Sequence, residues 1–509
     1  MSTGWILVVV AAPPDFTCTW GLDAASVANI KVRPADGSTP EQEFASSEGS
    51  GTAGANWLGV PLTFRLLAGD VPVDSVVVNP SPGIYCGLGM SASQIDAAKQ
   101  ANPGLVVFPL AITTAPVSQT ILPDALIHSP PPLTPAPVVP VGIPAPGATY
   151  VDPVYGTRIM RVTDARNMTD ATGSKPKLDW ITNEYSTCCP FNQDGSLLLL
   201  LHESYFGLYT GAQGVFMGNL PFEISGGSEP RWSRRDLNTI YYHVGNQLKS
   251  YEVATRVTAV VRTFSEYASI TGKGKTDISY DGDHFIFIGD SRELFIYQIS
   301  TDTKTVILQN QSPAWNNVFI SPDNNAVVSW LTAGTARYQG VEVYDGAGNF
   351  LRQITHADGH SKMTRDTNGD EVFVWTSSAD PQPKFRQQSI VKVRIADGAQ
   401  TQLLAYDWSL ACHISACDKD WCFVETYAPG DPQPPSGWFP YTNELLAIKL
   451  DGTEIRRLAH HRSRPFPPGN TYNYMPKLSA SRDGKRIAYG SNFGISAPLN
   501  YSDAYMIDL

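Results

Sequence analysis

The chain lacks any stretch long and apolar enough to cross a bilayer as a helix, which takes about 20 such residues. Its most apolar run near the start, residues 5–12, is roughly half that length and reads as a buried β-strand. Residues 1–4 carry none of the positive charge of a secretory n-region, so no export signal is recognised. Charge is sparse, at 17% of residues, and positive charge is in deficit. The 37 Lys and Arg against 48 Asp and Glu leave a net charge of −11. That balance argues against nucleic acid as a partner and fits an acidic, solvated surface. Phosphate loops, dinucleotide fingerprints and nucleophile elbows are missing. The nearest run, Thr271-Gly272-Lys273-Gly274-Lys275, has the wrong spacing for a phosphate loop. Cysteine is scarce and odd in number, at seven, with no zinc-ribbon spacing. We read structural thiols, with Cys18–Cys86 and Cys412–Cys417 as the pairs to test for disulfides.

Turn formers, by contrast, are abundant. With 42 Gly, 39 Pro and 10% aromatic residues, the composition suits a turn-rich all-β protein. After residue 180 one pattern recurs seven times: an apolar stretch meets a polar turn, and a β-rich run follows. The turns are Asn192-Gln193-Asp194-Gly195, Ser233-Arg234-Arg235-Asp236, Ser279-Tyr280-Asp281-Gly282 and Ser321-Pro322-Asp323-Asn324. They continue as Thr364-Arg365-Asp366, Ser415-Ala416-Cys417-Asp418 and Ser481-Arg482-Asp483-Gly484. Most intervals are roughly 40–50 residues, the period of propeller blades.

Residues 129–147 hold eight prolines, a composition that favours an extended, semi-rigid spacer. The expected organisation is a β-sandwich-like domain over 1–128, a linker over 129–147 and a seven-bladed propeller over 148–509. Short β-like runs separated by Gly, Ser and Pro support the sandwich, with one short helix near 91–101. Residues 155–163 resemble blade-ending strands and the C-terminus resembles a penultimate strand. The strand 155–163 is therefore expected to pair beside the C-terminal strand and close the ring.

The run Leu478-Ser479-Ala480-Ser481-Arg482-Asp483-Gly484-Lys485-Arg486-Ile487-Ala488-Tyr489 resembles the signature of TolB-like, WD40-like propellers. Within that group the last ~355 residues are most similar to the seven-bladed propellers that include oligogalacturonate lyases. The resemblance implies that each innermost strand starts near a ligand-binding mouth. It thereby assigns Glu184, Tyr185, Glu229, Arg231, Asp277, Asn316, Asn317, His360, His413 and Asn473 to one rim. The loop His460-His461-Arg462-Ser463-Arg464 is expected near that rim. The resemblance also implies a divalent cation such as Mn or Ca, with His360 and His413 at two ligand positions. The final blade carries Asn473-Tyr474-Met475-Pro476, with no histidine for a further ligand.

Two functional readings follow. In the first the chain is a non-enzymatic recognition or structural module without a cofactor. Its propeller mouth binds a glycan or protein surface, and residues 1–128 anchor it to a larger assembly. That assembly is a cell surface or a virion appendage, which sets an extracellular, cell-surface or virion-associated location. Glu184, Tyr185, Glu229, Arg231, Asn317 and Asn473 of the rim are the expected ligand contacts, joined by Arg464 and by Trp438 and Tyr441, whose aromatic faces stack on sugars or grip protein partners. Trp438 and Tyr441 end a proline-rich insertion over 428–441, and long irregular loops are often functional. The alternative is a polysaccharide lyase acting on an acidic, uronate-containing polymer by β-elimination. His360, His413 and Tyr474 would supply acid and base, and Arg462 would neutralise the carboxylate. Set against both is a structural role for the histidines, bridging blades through hydrogen bonds to neighbouring backbone.

Overall fold

A computed structural model describes residues 138–509 apart from 171–174, 176, 310–314, 386–387, 429, 431–438 and 467–471. Before residue 138 it describes 4–12, 15–22, 27–34, 42–48, 50–55, 62–68, 71–78, 83–86, 92–102, 105, 107–108 and 127–128. Two compact units result, one built largely on residues 1–118 and the other on most of the remainder. Among the described residues no helix is long and apolar enough to cross a membrane.

The first unit contains two sheets. One has the order Gly51–Ala55, Asp15–Leu22, Gly4–Ala12, Gly83–Cys86, Val107–Phe108, and the other Gln42–Glu48, Val27–Pro34, Leu62–Ala68, Val71–Val78. Side chains alternate across a strand, so Ile6, Val8 and Val10 of Gly4–Ala12 are all fully buried. They meet Phe16, Cys18 and Trp20 of the same sheet and Ala28, Ile30, Phe64 and Leu66 of the other in one core. Two sheets closing on a shared core make this unit sandwich-like. Its helix is Ala92–Ala101.

The second unit is built from seven antiparallel sheets in chain order, the seven-bladed propeller that the repeat predicts. Blades 1 to 5 are four-stranded and start at Ile181–Thr182, Arg231–Trp232, Ile270–Thr271, Trp315–Ile320 and Ser361–Arg365. Blade 6 starts at Ala411–Ala416 and ends at Ile455–His460, beside which Ile127–His128 adds a fifth strand. The chain at 127–128, at the end of the expected N-terminal domain, therefore extends a blade. Blade 7 draws on both ends of this unit: Arg158–Arg161 pairs with Asp503–Asp508, and Thr149–Val151 lies outside it.

The repeated turn has a local cause. Its aspartate accepts a backbone N–H two residues on, as Asp194 does from Ser196 (2.9 Å), Asp281 from Asp283 (2.9 Å) and Asp483 from Lys485 (3.1 Å). Its serine accepts the N–H that opens the next strand, as Ser279 does from His284 (2.8 Å) and Ser321 from Asn325 (3.0 Å). The glycine takes φ near +70°, at Gly195, Gly282 and Gly484, where a side chain would be strained. Central strands are apolar on both faces because each blade packs between two others. In Tyr205–Thr210 all six residues are buried, whereas most of the outermost strand Val257–Thr263 is exposed. Each fully buried Leu, Ile, Val or Phe contributes about 1.5–3 kcal/mol.

Cys18, Cys188, Cys189, Cys412, Cys417 and Cys422 hold free thiols. Cys412 and Cys417 are therefore not joined: Cys412 lies in the strand Ala411–Ala416 and Cys417 just past its end, and they enter two different cores. The side chain of Cys86 lies outside the described residues.

Candidate functional site

The innermost strands converge on the propeller axis, because contacts along them join blades that are not neighbours in the ring. Arg234 of blade 2 reaches Asp418 of blade 6 at 2.6 Å. Arg482 of blade 7 donates to the carbonyls of Trp232 and Ser233 in blade 2 at 2.9 and 3.0 Å. These residues belong to the repeat turns and span the channel at that end. Lys362 of blade 5 donates to the Thr187 carbonyl of blade 1 at 2.6 Å. Asp277 lies between Arg482 (3.5 Å) and Lys362 (3.9 Å). Burial pushes its carboxyl up, but these cations hold it down at about 2.

At the strand-start end the two predicted histidines meet. The rings of His360 and His413 lie 4.3 Å apart, centroid to centroid. Tyr427 stacks on His413 at 5.5 Å and Tyr185 presents its edge at 5.4 Å. His413 Nδ1 bonds Glu425 Oε1 at 2.5 Å. Glu425 also accepts the backbone N–H groups of Lys477 (3.2 Å) and Leu478 (3.1 Å). Burial raises the Glu425 carboxyl well above its usual range, opposed by those two N–H groups and the Lys477 charge. Burial holds both imidazoles down at about 3, helped at His413 by Lys477 and Lys275 and at His360 by His413 and Lys275. Both are neutral at pH 7.

Two lysines complete this end. The Lys477 ammonium sits 4.0 Å from the Tyr472 ring centre, and the Lys275 ammonium 5.8 Å from that of Tyr185. Burial lowers both, Lys477 to about 8 with Glu425 opposing. Lys477 is 2% exposed, while Tyr472 keeps 52% of its surface. Tyr474 turns its ring toward Tyr427 at 6.1 Å and is mostly buried.

Other predicted contacts are engaged within the chain. Arg231 pairs with Glu184 at 2.8 Å and donates to the carbonyls of Thr276 (2.6 Å) and Gly274 (3.2 Å). Glu229 accepts from Thr271 Oγ1 and from the N–H of Gly272 and Gly274, a cradle in which a Cβ at Gly272 would lie 2.6 Å from the carboxylate. Asn316 and Asn317 both donate to Asp358. Asn473 is half-buried one residue before Tyr474.

Three expectations are corrected. Arg462 does not face the imidazoles. It donates to the Val139 carbonyl at 2.8 Å, lies 3.5 Å from Asp152 and covers the rings of Tyr150 and Phe493. Tyr441 is not a surface contact: it is 4% exposed in a core with Leu446, Ile448 and Tyr406, and its carbonyl accepts from Thr426. Arg464 turns back on its own loop, donating to the Ser463 carbonyl at 2.6 Å while its N–H bonds Asn492, and burial holds its guanidinium down at about 10. Trp438 lies outside the described residues.

The donor set does not fit the divalent cation that the resemblance implies. His413 spends Nδ1 on Glu425, and His360 bonds the Cys412 backbone. Among the described residues no group of three or more His, Cys, Asp or Glu is placed to hold a metal ion. Two imidazoles alone make a poor transition-metal site.

The lysines and Glu425 escaped the sequence reading. Lys275 carried a signal as the last residue of the Gly/Lys run. Glu425 is the one charged residue of the otherwise uncharged strand Trp421–Tyr427.

No family model and no curated protein matches the chain. Among solved structures it is similar to an oligogalacturonate lyase in complex with manganese, 15% identical with a TM-score of 0.49, over 71% of this chain and 96% of that one. It is likewise similar to an oligogalacturonate lyase from Vibrio parahaemolyticus, 14% identical with a TM-score of 0.49, over 71% of this chain and 96% of that one.

Proposed function

We propose that the protein is a non-enzymatic recognition module whose propeller mouth takes a saccharide. One observation carries this reading: the half-exposed Tyr472 ring, with the Lys477 ammonium 4.0 Å from its centre. A sugar ring stacks on an exposed aromatic face through its C–H groups, while polar neighbours bond its hydroxyls. The histidines are engaged within the chain. His413 is packed between aromatic rings and tied through Nδ1 to Glu425, whereas a general base must reach the proton it takes. Calorimetric titration of the full chain with a saccharide panel tests the reading. A ligand should emerge whose affinity falls about tenfold in Tyr472→Ala, the upper range for one aromatic contact. A panel without a binder would sink the proposal, as would a Tyr472→Ala variant that binds unchanged.

One observation favours the lyase reading as a second. The Lys477 amine, held at about 8 by burial, is close enough to neutrality to accept a proton from a sugar carbon. Ultraviolet absorbance at the unsaturated-uronide band, with acidic polysaccharides and added Mn²⁺ or Ca²⁺, separates the two. A rise that disappears in His413→Ala and Lys477→Met would replace recognition by β-elimination. A flat trace is expected.

A further inference from the structure

We propose that Lys275 and Lys477 form a binding site for a tetrahedral oxyanion, a sulfate or phosphate ester carried by the saccharide. The inference rests on the saccharide reading above and names the chemical class of its ligand. Among the described residues neither ammonium has a carboxylate within ion-pair distance, and the faces of Tyr472 and Tyr185 are their recorded partners. The acid that acts on Lys477, Glu425, is not free to serve it. Glu425 spends Oε1 on His413 Nδ1 and the Lys477 N–H, and Oε2 on the Leu478 N–H. Asp358, the other acid acting on Lys275, is held by Asn316 and Asn317.

The other cations at the axis are matched differently. Arg231, Arg234 and Arg482 each have a carboxylate of this chain, at 2.8, 2.6 and 3.5 Å. A guanidinium offers a planar fork that suits a planar carboxylate, and these three forks are already engaged. An ammonium is a point charge with three rotatable donors, which fits an anion whose oxygens point in all directions. Two ammoniums beside aromatic faces therefore favour a sulfate or phosphate ester over a uronate.

The test uses the full chain at pH 7 and low ionic strength. Inorganic sulfate is the first probe, read by thermal melting of wild type and Lys275→Met. A sulfated oligosaccharide, its desulfated parent and a uronate oligosaccharide of similar length follow by calorimetry. Sulfate should raise the wild-type Tm and leave that of Lys275→Met unmoved. The sulfated sugar should bind about tenfold more tightly than its parent, an advantage that Lys275→Met and Lys477→Met remove. Lys275 is the less buried of the two, so its variant keeps the test decisive if Lys477→Met folds poorly. Equal affinity for sulfated and desulfated sugars would overturn the oxyanion site and leave saccharide recognition standing. Preference for the uronate would overturn the tetrahedral assignment. A sulfate response without any saccharide binding would keep the oxyanion site and sink the saccharide reading.

Discussion

Buried charge is handled in opposite ways at the seam of blade 7 and at the mouth. At the seam Arg161 donates to Asp503 Oδ2 through Nε (3.0 Å) and Nη2 (2.7 Å). Asp503 Oδ1 accepts from Thr163 Oγ1 (3.0 Å) and the Ala165 N–H (2.8 Å), so the pair is satisfied on all sides. Arg457 and Glu444 repeat this bidentate arrangement in blade 6. At the mouth Lys275 and Lys477 face tyrosine rings. Withdrawing a charge from water costs free energy in both places, and only the seam recovers it within the chain. Charges paired internally hold the ring together. On the proposed reading, charges left for an outside partner mark where the protein meets its ligand.

The largest expected effect is at the seam. Asp503→Ala removes the bidentate acid of the buried Arg161 guanidinium, leaving it only Asp164 at 3.1 Å, and should cost about 3 kcal/mol in denaturant unfolding. Lys477→Met should cost nothing, or stabilise by about 1 kcal/mol, since it removes a desolvated charge that has no carboxylate partner. Equal losses in the two variants would end the distinction. Tyr441→Ala comes next, at about 3 kcal/mol, because it empties a core position. A loss below about 1 kcal/mol would return Tyr441 to the surface role expected from the sequence.

Titration sharpens the same contrast. His202 and His461 are fully buried, and burial holds both at about 3. His202 bonds the Tyr209 hydroxyl at 2.7 Å; His461 Nδ1 accepts the Ser463 N–H, so Nε2–H donates to the Thr426 carbonyl. Unfolded, each returns to about 6.5. Between those values the unfolded chain binds a proton that the folded chain refuses, so stability rises with pH. It is complete above about 6.5 and is lost as pH falls toward 3, on the order of 1 kcal/mol per pH unit for each group. Unfolding midpoints across pH 4 to 7 check this, and His202→Gln should flatten the acid limb. An unchanged slope would mean that His202 charges in the folded state.

What the sequence made legible follows the range of the interactions. The turns were readable because an aspartate or serine bonds backbone only two to five residues away. The resemblance to propellers whose inner strands start at one mouth brought His360, His413 and Tyr185 to one place. Arg462 was misread because its partners, Val139, Tyr150 and Asp152, lie more than 300 residues earlier in the chain, where no local pattern points. Tyr441 was misread because a proline-rich, aromatic loop end looks exposed, whereas this residue turns inward at φ +71°. Lys477 was invisible as a site residue because being without a carboxylate is a property of its neighbours, and two of them, Glu425 and Asn183, come from other blades.

The smallest effect on stability belongs to the residue expected to matter most for binding. Tyr472 is half-exposed, so Tyr472→Ala should leave the unfolding midpoint within about 0.5 kcal/mol of wild type. Its ring screens the Lys477 ammonium on one side, and removing it opens that charge to water. The lysine, held at about 8 by burial, should then move up toward about 10.4, its value in water. Nuclear magnetic resonance of the Lys477 side chain reads that rise directly. A rise with unchanged stability makes Tyr472 the cover over a charge kept for a ligand. A value fixed near 8, together with a loss of several kcal/mol, would instead place Tyr472 with Tyr441 among the residues that hold the fold.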